Sequence, residues 1–212
     1  MRIVDLTQAM ANGMPVMAGI APPRFRDLAE VAADGYAMSE YAFVNHTGTH
    51  VDAPAHQIDG GATLDDIPLE RLVTDAFTID LTGHPPGPVG LAELEHHLPG
   101  LHPNDIVLFS SGNALNWGSD AYWHGWCYPD AAAARALINC GVSGVGFDGP
   151  SADPVESTDY ELHQVWLGHG KIIIENMASM ARLPARCRIV VAPLKVRGAN
   201  GGPARIYALV DD

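Results

Sequence analysis

Three histidines and one aspartate lie close together at positions 46–56 of this chain. The segment reads HTGTHVDAPAH. Imidazole and carboxylate groups are common protein ligands of zinc and of other divalent metal ions. The segment therefore predicts a metal site, with His46, His50 and Asp52 as candidate ligands. The alternative is a histidine-rich surface loop whose side chains are solvated or bonded to the backbone.

The spacing of these residues requires a bend in the chain. In a straight strand, His46 and His50 would lie roughly 13 Å apart, too far to share one ion. The β-branched neighbours and Pro54 disfavour a helix. Gly48 can adopt the backbone angles of a tight turn. We therefore expect a strand that ends in a turn at Gly48, followed by a proline-stiffened loop that carries His56.

Two further candidate ligands lie near the C-terminal part of the chain. Glu175 directly follows an apolar segment at 171–174, and His163 precedes it by 12 positions. A carboxylate at the end of a buried strand is costly unless it is paired or bound to a metal. His163 and Glu175 are therefore candidates, although a glutamate at the surface is the alternative.

Composition excludes several classes of protein. The 212 residues include 12 Lys and Arg against 25 Asp and Glu, which gives a formal net charge of −13. Such a chain lacks the basic face that nucleic acids and anionic membranes require. A hydrophobic content of 47% provides material for a core, and the length favours one domain over residues 1–212.

No secretory leader and no apolar segment of membrane-spanning length is recognisable in the sequence. We therefore expect a soluble, cytoplasmic protein. Cys127, Cys140 and Cys187 form no CxxC pair, so buried thiols are expected rather than a disulfide framework.

Several apolar segments rich in β-formers predict strands between short helices. A first strand is expected from residue 2 onward, and others near residues 41–44, 76–81, 106–109, 144–147, 171–174, 188–192 and 206–210. Helices are expected at 91–98 and over an alanine-rich segment that follows Pro129 and ends at Asn139. This alternation predicts an α/β or mixed class, without fixing the order of the strands.

The 46–56 segment resembles the HxGTHxDxPxH signature of the cyclase superfamily of metal-dependent hydrolases, which includes kynurenine formamidase and isatin hydrolase. The resemblance extends over most of the chain. It continues through the stretch at 147–153, which is similar to the D-x-x-S-x-D pattern of the family, and then through His163 and the pair Glu175-Asn176.

The resemblance implies a set of roles for these residues. His46, His50 and Asp52 would bind a first metal ion, and Asp52, His163 and Glu175 would bind a second. The implied cofactor is one or two divalent ions, most typically zinc or manganese. His56 would act as proton donor and acceptor. The resemblance also implies a swivelling β/β/α single domain, with a mixed sheet and flanking helices, that forms a homodimer or homotetramer.

Two departures from the family pattern concern substrate recognition. Met17 lies where formamidases carry a tryptophan that lines the substrate site, and the segment SSGN at 110–113 replaces an Arg-Thr-Gly-Trp-like segment. Trp123 and Trp126 are predicted, together with Met17, to line a pocket for an aromatic substrate. The alternative for the two tryptophans is a packing cluster or a subunit contact.

These observations predict a hydrolase that cleaves an amide, lactam or lactone bond with a metal-activated water and with His56 as general acid and base. The substrate is expected to be a small neutral or zwitterionic molecule. One alternative is an iron oxygenase with a 2-His-1-carboxylate triad, which would not need His163 and Glu175. Another is a non-catalytic module that binds a metal or ligand. A serine nucleophile is disfavoured, because Ser110 and Ser111 lack a nucleophile-elbow motif.

Overall fold

A computed structural model describes residues 1–211 of the chain. The strands are β1 (Arg2–Asp5), β2 (Arg24–Ala29), β3 (Met38–Ala42), β4 (His50–Asp52), β5 (Val73–Asp80), β6 (Gly87–Val89), β7 (Ile106–Ser110), β8 (Cys127–Pro129), β9 (Gly144–Phe147), β10 (Ile172–Glu175), β11 (Arg186–Pro193) and β12 (Gly201–Val210). The α-helices are α1 (Val31–Asp34), α2 (Leu69–Leu72), α3 (Leu91–Leu94), α4 (Ala131–Asn139) and α5 (Glu161–Gly168). Short 3-10 helices cover Pro54–His56, Leu64–Asp66, Glu95–Gly100, Asn113–Asn116, Asp120–Trp123 and Met180–Arg182.

Seven strands close into a barrel-like sheet in the order β12, β11, β5, β7, β9, β10, β4 and back to β12. Strands β5, β7, β9 and β10 run parallel, whereas β4, β11 and β12 pair antiparallel with their neighbours. Strand β12 closes the sheet because its first residues pair with β4. The last residues of β12 pair with β1, which lies outside the closed part of the sheet. The expectation of a mixed α/β fold is confirmed.

Successive side chains along each strand point to opposite faces of the sheet, and the two faces pack into two separate hydrophobic cores. Along β10, Ile172 and Ile174 pack into one core, whereas Ile173 packs into the other. The second core also contains Trp166 of α5 and Leu137 of α4, so these helices cover one face of the sheet. Glu175 shares its parity with Ile173 and therefore emerges on the face that α5 covers.

One of the two predicted helices is shorter than expected, whereas the other ends at Asn139 as expected. The segment expected at 91–98 is α-helical only over Leu91–Leu94 and continues as a 3-10 helix that contains Pro99. Pro99 lacks the backbone N–H that a continuing α-helix would use. The second helix begins after Asp130, whose carboxylate accepts a hydrogen bond from the Ala133 backbone N–H at 2.7 Å.

Other features differ from expectation in detail. The strand expected at 41–44 is instead β3, which forms a hairpin with β2. Cys127 is buried as expected, whereas Cys140 and Cys187 are half-buried, and all three thiols are free. Among the helices of residues 1–211, none has both the length and the apolar character needed to cross a membrane.

Candidate metal centre

Strand β4 brings the centre of the histidine motif between two other strands. It pairs with β10 on one side and with β12 on the other, so that His50 lies opposite Glu175. His50 and Asp52 are two residues apart and point to the same face of the sheet. All three side chains are buried. The register of two strands thus brings together residues that are more than 120 positions apart in sequence.

The predicted bend at Gly48 is present, with φ of +66°. It allows His46 to fold back, so that His46 Nδ1 lies 2.6 Å from Asp52 Oδ1. The order of turn and strand differs from the expectation. The turn comes first, and the strand begins after it at His50. Gly201 makes room for the returning ring, because a Cβ atom there would lie 2.4 Å from His46 Cε1.

Helix α5 supplies His163, and Asp153 holds both the helix and the imidazole. The Asp153 carboxylate accepts backbone N–H groups from Leu162 at 2.8 Å and His163 at 3.0 Å. Its Oδ2 also lies 2.6 Å from His163 Nδ1. This carboxylate therefore stabilises the first turn of α5 and fixes the orientation of the His163 ring.

The ring nitrogens of His50 and His163 are arranged in the same way. His50 Nδ1 lies 2.8 Å from the Gly48 carbonyl oxygen, which can only accept a hydrogen bond, so Nδ1 donates. The Nε2 atoms of His50 and His163 each lie 3.3 Å from a Glu175 oxygen. His50 Nε2 is also 3.3 Å from Asp52 Oδ1. If both imidazoles were neutral with the proton on Nδ1, the lone pairs of their Nε2 atoms would face negatively charged carboxylate oxygens and repel them. The cluster therefore requires additional protons on the Nε2 atoms or a bound cation.

The pKa values follow from this arrangement. Burial opposes a charge on His50, but the Asp52 and Glu175 carboxylates outweigh it and raise the pKa of His50 to about 10. Burial also opposes a charge on His163, but the hydrogen bond to Asp153 and the nearby carboxylates of Asp52 and Glu175 raise its pKa to about 12. Burial favours the neutral acid at Asp52, but the surrounding imidazoles hold the pKa of its carboxyl well below the ordinary value.

The residues fit a divalent metal ion. Two groups each offer three ligand atoms within 4.8 Å of one another: His46, Asp52 and His56, and His50, Asp52 and Glu175. Asp52 Oδ2 is buried and has no hydrogen-bond partner among the described residues. An unpartnered buried carboxylate oxygen is expensive without a counterion. A metal ion between the imidazoles and carboxylates would satisfy it.

His56 lies in the 3-10 helix that begins at Pro54. Its ring centroid is 4.1 Å from that of His46 and 5.9 Å from that of His163. Burial lowers the pKa of His56 from its ordinary value, and the neighbouring imidazoles add to this effect against the pull of Asp52. His56 is therefore a neutral imidazole beside the cluster near neutral pH, as a general base must be.

A cavity of about 380 Å³ opens onto the cluster. One wall is apolar and includes Val16, Met17 and Val44, and another includes Trp123 and Tyr160. Met17 and Trp123 both line this cavity, and their contact with a substrate stays a prediction. No lysine or arginine occurs among the described residues that line the cavity.

Trp126 is not at this cavity and corrects the sequence-based expectation. It does not belong to the described lining residues. Its side chain is buried, and Nε1 donates to the Ser151 carbonyl at 2.8 Å. The ring therefore supports the 149–151 segment from behind. Trp123, which does line the cavity, lies at the end of the Asp120–Trp123 3-10 helix, whereas Trp126 directly precedes strand β8.

Four residues around the site were not assigned a role from the sequence. Asp153 orients His163, Tyr160 lines the cavity, and Asn200 Oδ1 lies 3.2 Å from His46 Nε2. Asn176 bonds to the histidine turn through its amide. Only Asp153 and Asn176 lay within motifs that the resemblance singled out. Asn200 and Tyr160 carry no signal in the sequence, because loop closure alone brings them to the site.

Seven of the ten histidines lie outside the two metal-capable groups of the described residues. His163 is one of these seven, although its Nε2 lies 3.3 Å from Glu175 Oε1, and the other six lie away from the cluster. His84, for example, bonds to Glu93 at 3.0 Å on the surface, and the exposed His124 lies 3.6 Å from Glu156. The histidines that could bind a metal ion or transfer a proton therefore lie together where β4, β10 and α5 meet.

Comparison with known proteins gives a consistent result. The chain is 29% identical to a kynurenine formamidase of Salinibacter ruber, over 97% of this chain and 96% of the relative. An isatin hydrolase A from Labrenzia aggregata, bound to benzyl benzoate, superposes with a TM-score of 0.90 at 26% identity, covering 100% of this chain and 94% of the other. A predicted metal-dependent hydrolase from Bacillus stearothermophilus superposes with a TM-score of 0.82 at 28% identity, covering 98% and 97%.

The family model described as "Putative cyclase" matches residues 4–154, which include the whole histidine motif on the turn and strand described above. The chain therefore belongs to the Cyclase family.

Proposed function

We propose that this protein is a metal-dependent hydrolase of an amide C–N bond, either linear or within a lactam, with the related lactone bond as a further possibility for the same chemistry. The observation that carries the proposal is the cluster of imidazole Nε2 atoms that face two buried carboxylates, with Asp52 Oδ2 unpartnered. The names of the kynurenine formamidase and isatin hydrolase relatives support the same reaction class.

The proposed ligands are His46, His50, Asp52, His163 and Glu175, around one or two divalent ions. Mixed imidazole and carboxylate ligation suits zinc and manganese, and Asp52 is central because both metal-capable groups include it. When bound, such an ion supplies a Lewis acid that polarises a carbonyl group and lowers the pKa of a water ligand from about 16 to about 7.

His56 is the proposed general acid and base. Its lowered pKa leaves it neutral and able to accept a proton at neutral pH. Its ring lies beside the cluster and lines the cavity, so it can return that proton to the leaving nitrogen. The products are then a carboxylic acid and an amine.

The proposed substrate is a small neutral or zwitterionic molecule with an apolar or aromatic body. The apolar wall that contains Met17 and the ring of Trp123 suit such a body. The described lining offers no lysine or arginine to pair with a separate carboxylate. The relatives are named for kynurenine and isatin, and the Labrenzia aggregata isatin hydrolase A is bound to benzyl benzoate.

We further propose a single domain over residues 1–212, a cytoplasmic location, and a homodimer or homotetramer. No nucleic-acid or membrane partner is expected from the net charge of −13. The β2–β3 hairpin supports an oligomer, because it exposes apolar side chains that include Leu28, Met38 and Tyr41.

An iron oxygenase would explain fewer of the clustered residues than a metal-dependent hydrolase does. A triad of His46, His50 and Asp52 would leave His163 and Glu175 without a role, although their Nε2 and Oε1 atoms lie 3.3 Å apart. A non-catalytic metal-binding module would likewise leave His56 and the adjoining cavity unexplained.

The test is metal analysis of protein purified without added metal, followed by anaerobic assays after loading with Zn²⁺ or Mn²⁺. N-formylkynurenine, isatin and an aryl lactone serve as probes. Hydrolysis of at least one probe without oxygen, abolished by a chelator and restored by the metal, is expected. Strict dependence on oxygen, or turnover that survives complete removal of the metal, would overturn the proposal.

A further inference from the structure

Asn176 joins three segments of the site. It directly follows the proposed ligand Glu175 and has φ of +58° in a buried position. Its backbone N–H donates to the Gly149 carbonyl at 2.8 Å, and its carbonyl accepts from Thr49 Oγ1 at 2.6 Å. Both main-chain groups are therefore occupied, and the position of the side chain is fixed by the backbone. Asparagine is one of the few residues that tolerate this left-handed conformation.

The Asn176 side chain forms the middle of a hydrogen-bond chain. Tyr122 Oη donates to Asn176 Oδ1 at 2.7 Å, and Asn176 Nδ2 donates to the Gly48 carbonyl at 3.0 Å. The same carbonyl accepts the Nδ1–H of His50 at 2.8 Å. Tyr122 is fully buried, and burial raises the pKa of its phenol, so it remains a donor.

The direction of every bond in this chain is determined. The phenol can satisfy Asn176 Oδ1 only by donating, which places the amide nitrogen towards Gly48. The Gly48 carbonyl then has two donors, and it lies in the turn at which Gly48 has φ of +66°. A displaced carbonyl would release His50 Nδ1, and the ring could then rotate or exchange its tautomer.

We infer that Asn176, oriented by Tyr122, is a positioning residue that locks the Gly48 carbonyl and thereby presents His50 Nε2 to the metal ion. The inference rests on the metal centre of the proposed function, but not on the identity of its substrate. Tyr122 precedes Trp123, which lines the cavity, so the same hydrogen bond also ties the substrate wall to the metal-binding turn. Partners of this kind fix ligand orientation in metalloproteins, and their loss costs about 10–100-fold in metal affinity.

Two variants test the inference. Tyr122→Phe removes only the hydroxyl, and Asn176→Asp keeps the size of the side chain but replaces the donor that faces Gly48 with an oxygen. Zn²⁺ affinity is measured by competition with a chromophoric chelator, and the visible spectrum of the Co²⁺-loaded protein reports the ligand field. Each variant is expected to bind Zn²⁺ about 10-fold or more weakly and to show a shifted Co²⁺ spectrum.

Two control variants remove the same groups away from the site. Tyr207→Phe deletes a half-buried hydroxyl on β12, and Asn104→Asp changes an asparagine that also has a positive φ of 71°. Both are expected to retain the affinity and spectrum of the unchanged protein. Thermal unfolding of all four metal-free variants separates loss of positioning from loss of stability.

Unchanged Zn²⁺ affinity and an unchanged Co²⁺ spectrum in Tyr122→Phe would overturn the inference, even if its melting temperature fell. If Asn176→Asp does not fold, Tyr122→Phe alone decides. If the unchanged protein binds Zn²⁺ but cleaves no amide, the proposed function fails while the metal titration still tests the positioning role. If it binds neither Zn²⁺ nor Co²⁺, both proposals are wrong.

Discussion

The protonation of individual ring nitrogens decides what the histidine cluster can bind. The Nδ1 atoms of His50 and His163 are both occupied, one by a carbonyl and one by the Asp153 carboxylate. Their Nε2 atoms therefore have one direction left, towards Asp52 and Glu175. Without metal, protons must hold this cluster together. With metal, the cation replaces those protons, so metal binding is expected to release protons.

Asp52→Asn tests the residue on which both metal-capable groups depend. The amide keeps the size of the side chain but removes the charge that faces three imidazoles. We expect metal content below one ion per chain and kcat/KM reduced by about 100-fold or more. Elemental analysis and initial rates check this outcome. Full metal content together with full activity would show that Asp52 is not a ligand.

His56→Ala separates proton transfer from metal binding. We expect kcat to fall by about 100- to 10,000-fold while metal content is retained. Loss of metal would instead make His56 a ligand, which its grouping with His46 and Asp52 allows.

The pH profile of the unchanged enzyme provides a second test of His56. Its pKa is lowered from the ordinary value of 6.5, mainly by burial. The His56 imidazole is therefore mainly neutral at and above neutral pH. Its contribution to activity should be lost as the pH falls through a value below 6.5. An acidic limb of kcat/KM that is unchanged in the residual activity of His56→Ala would contradict the assignment.

The local motif was sufficient to predict much of the site at this scale. His46, His50 and Asp52 are close in sequence, and a glycine bend is the one simple way to bring them together. Asn200 could not be found in this way, because it reaches His46 only through the loop before β12. Trp126 was assigned to the cavity on residue type, which does not reveal the direction of a side chain.

Close packing of strand β12 against the histidine turn determines the position of His46. Gly201→Ala would place a methyl group 2.4 Å from His46 Cε1, so the ring must move. We expect weaker metal binding and lower activity, with a folded protein. Gly202→Ala is the matched control, because its closest contact would be Leu64 Cδ1 at 3.2 Å, a side-chain tip that can shift, and the Leu194 carbonyl oxygen at 3.8 Å is at an ordinary distance.

Chelator competition and circular dichroism of the two variants check this prediction. Equal metal affinity in Gly201→Ala and Gly202→Ala would show that His46 does not need its present position.

Helix α5 illustrates why some elements were not predicted from the sequence. The residue before this helix is Tyr160, in a left-handed conformation and without a side-chain cap. The first turn is stabilised instead by Asp153, which lies well before the helix in sequence. Ser157, Thr158 and Asp159 do precede the helix in sequence, but the residue directly before it is Tyr160, which is not one of the usual capping residues. The closed sheet could not be predicted from the sequence either. One edge of β12 pairs with β4 through its first residues and with β1 through its last residues, and no sequence pattern indicates such a shared edge.

Closure of the sheet couples the site to the stability of the whole molecule. The buried carboxylates Asp52 and Glu175 lie on β4 and β10, two adjacent strands of the barrel-like sheet. Two of the 25 acidic residues would be neutralised by metal, so the formal net charge of −13 overstates the charge of the loaded protein. A ligand that binds only the folded state stabilises it.

Metal removal should therefore lower the melting temperature. At free metal of about one hundred times Kd, the gain is about 2.7 kcal/mol, which for a chain of this size is a rise in Tm of roughly 5–10 °C. Calorimetry with and without chelator measures the difference. A melting temperature that is independent of Zn²⁺ and Mn²⁺ would contradict a metal site bridging these strands.

The most direct test of the central claim is to follow the oxygen that enters the product. The metal-loaded protein is incubated without O₂ in H₂¹⁸O with an amide probe that it consumes, and the product is analysed by mass spectrometry. One ¹⁸O atom is expected in the new carboxylate for each amine released, and Asp52→Asn is expected to form this product about 100-fold or more slowly. A product without ¹⁸O, or formed only when O₂ is present, would contradict the claim.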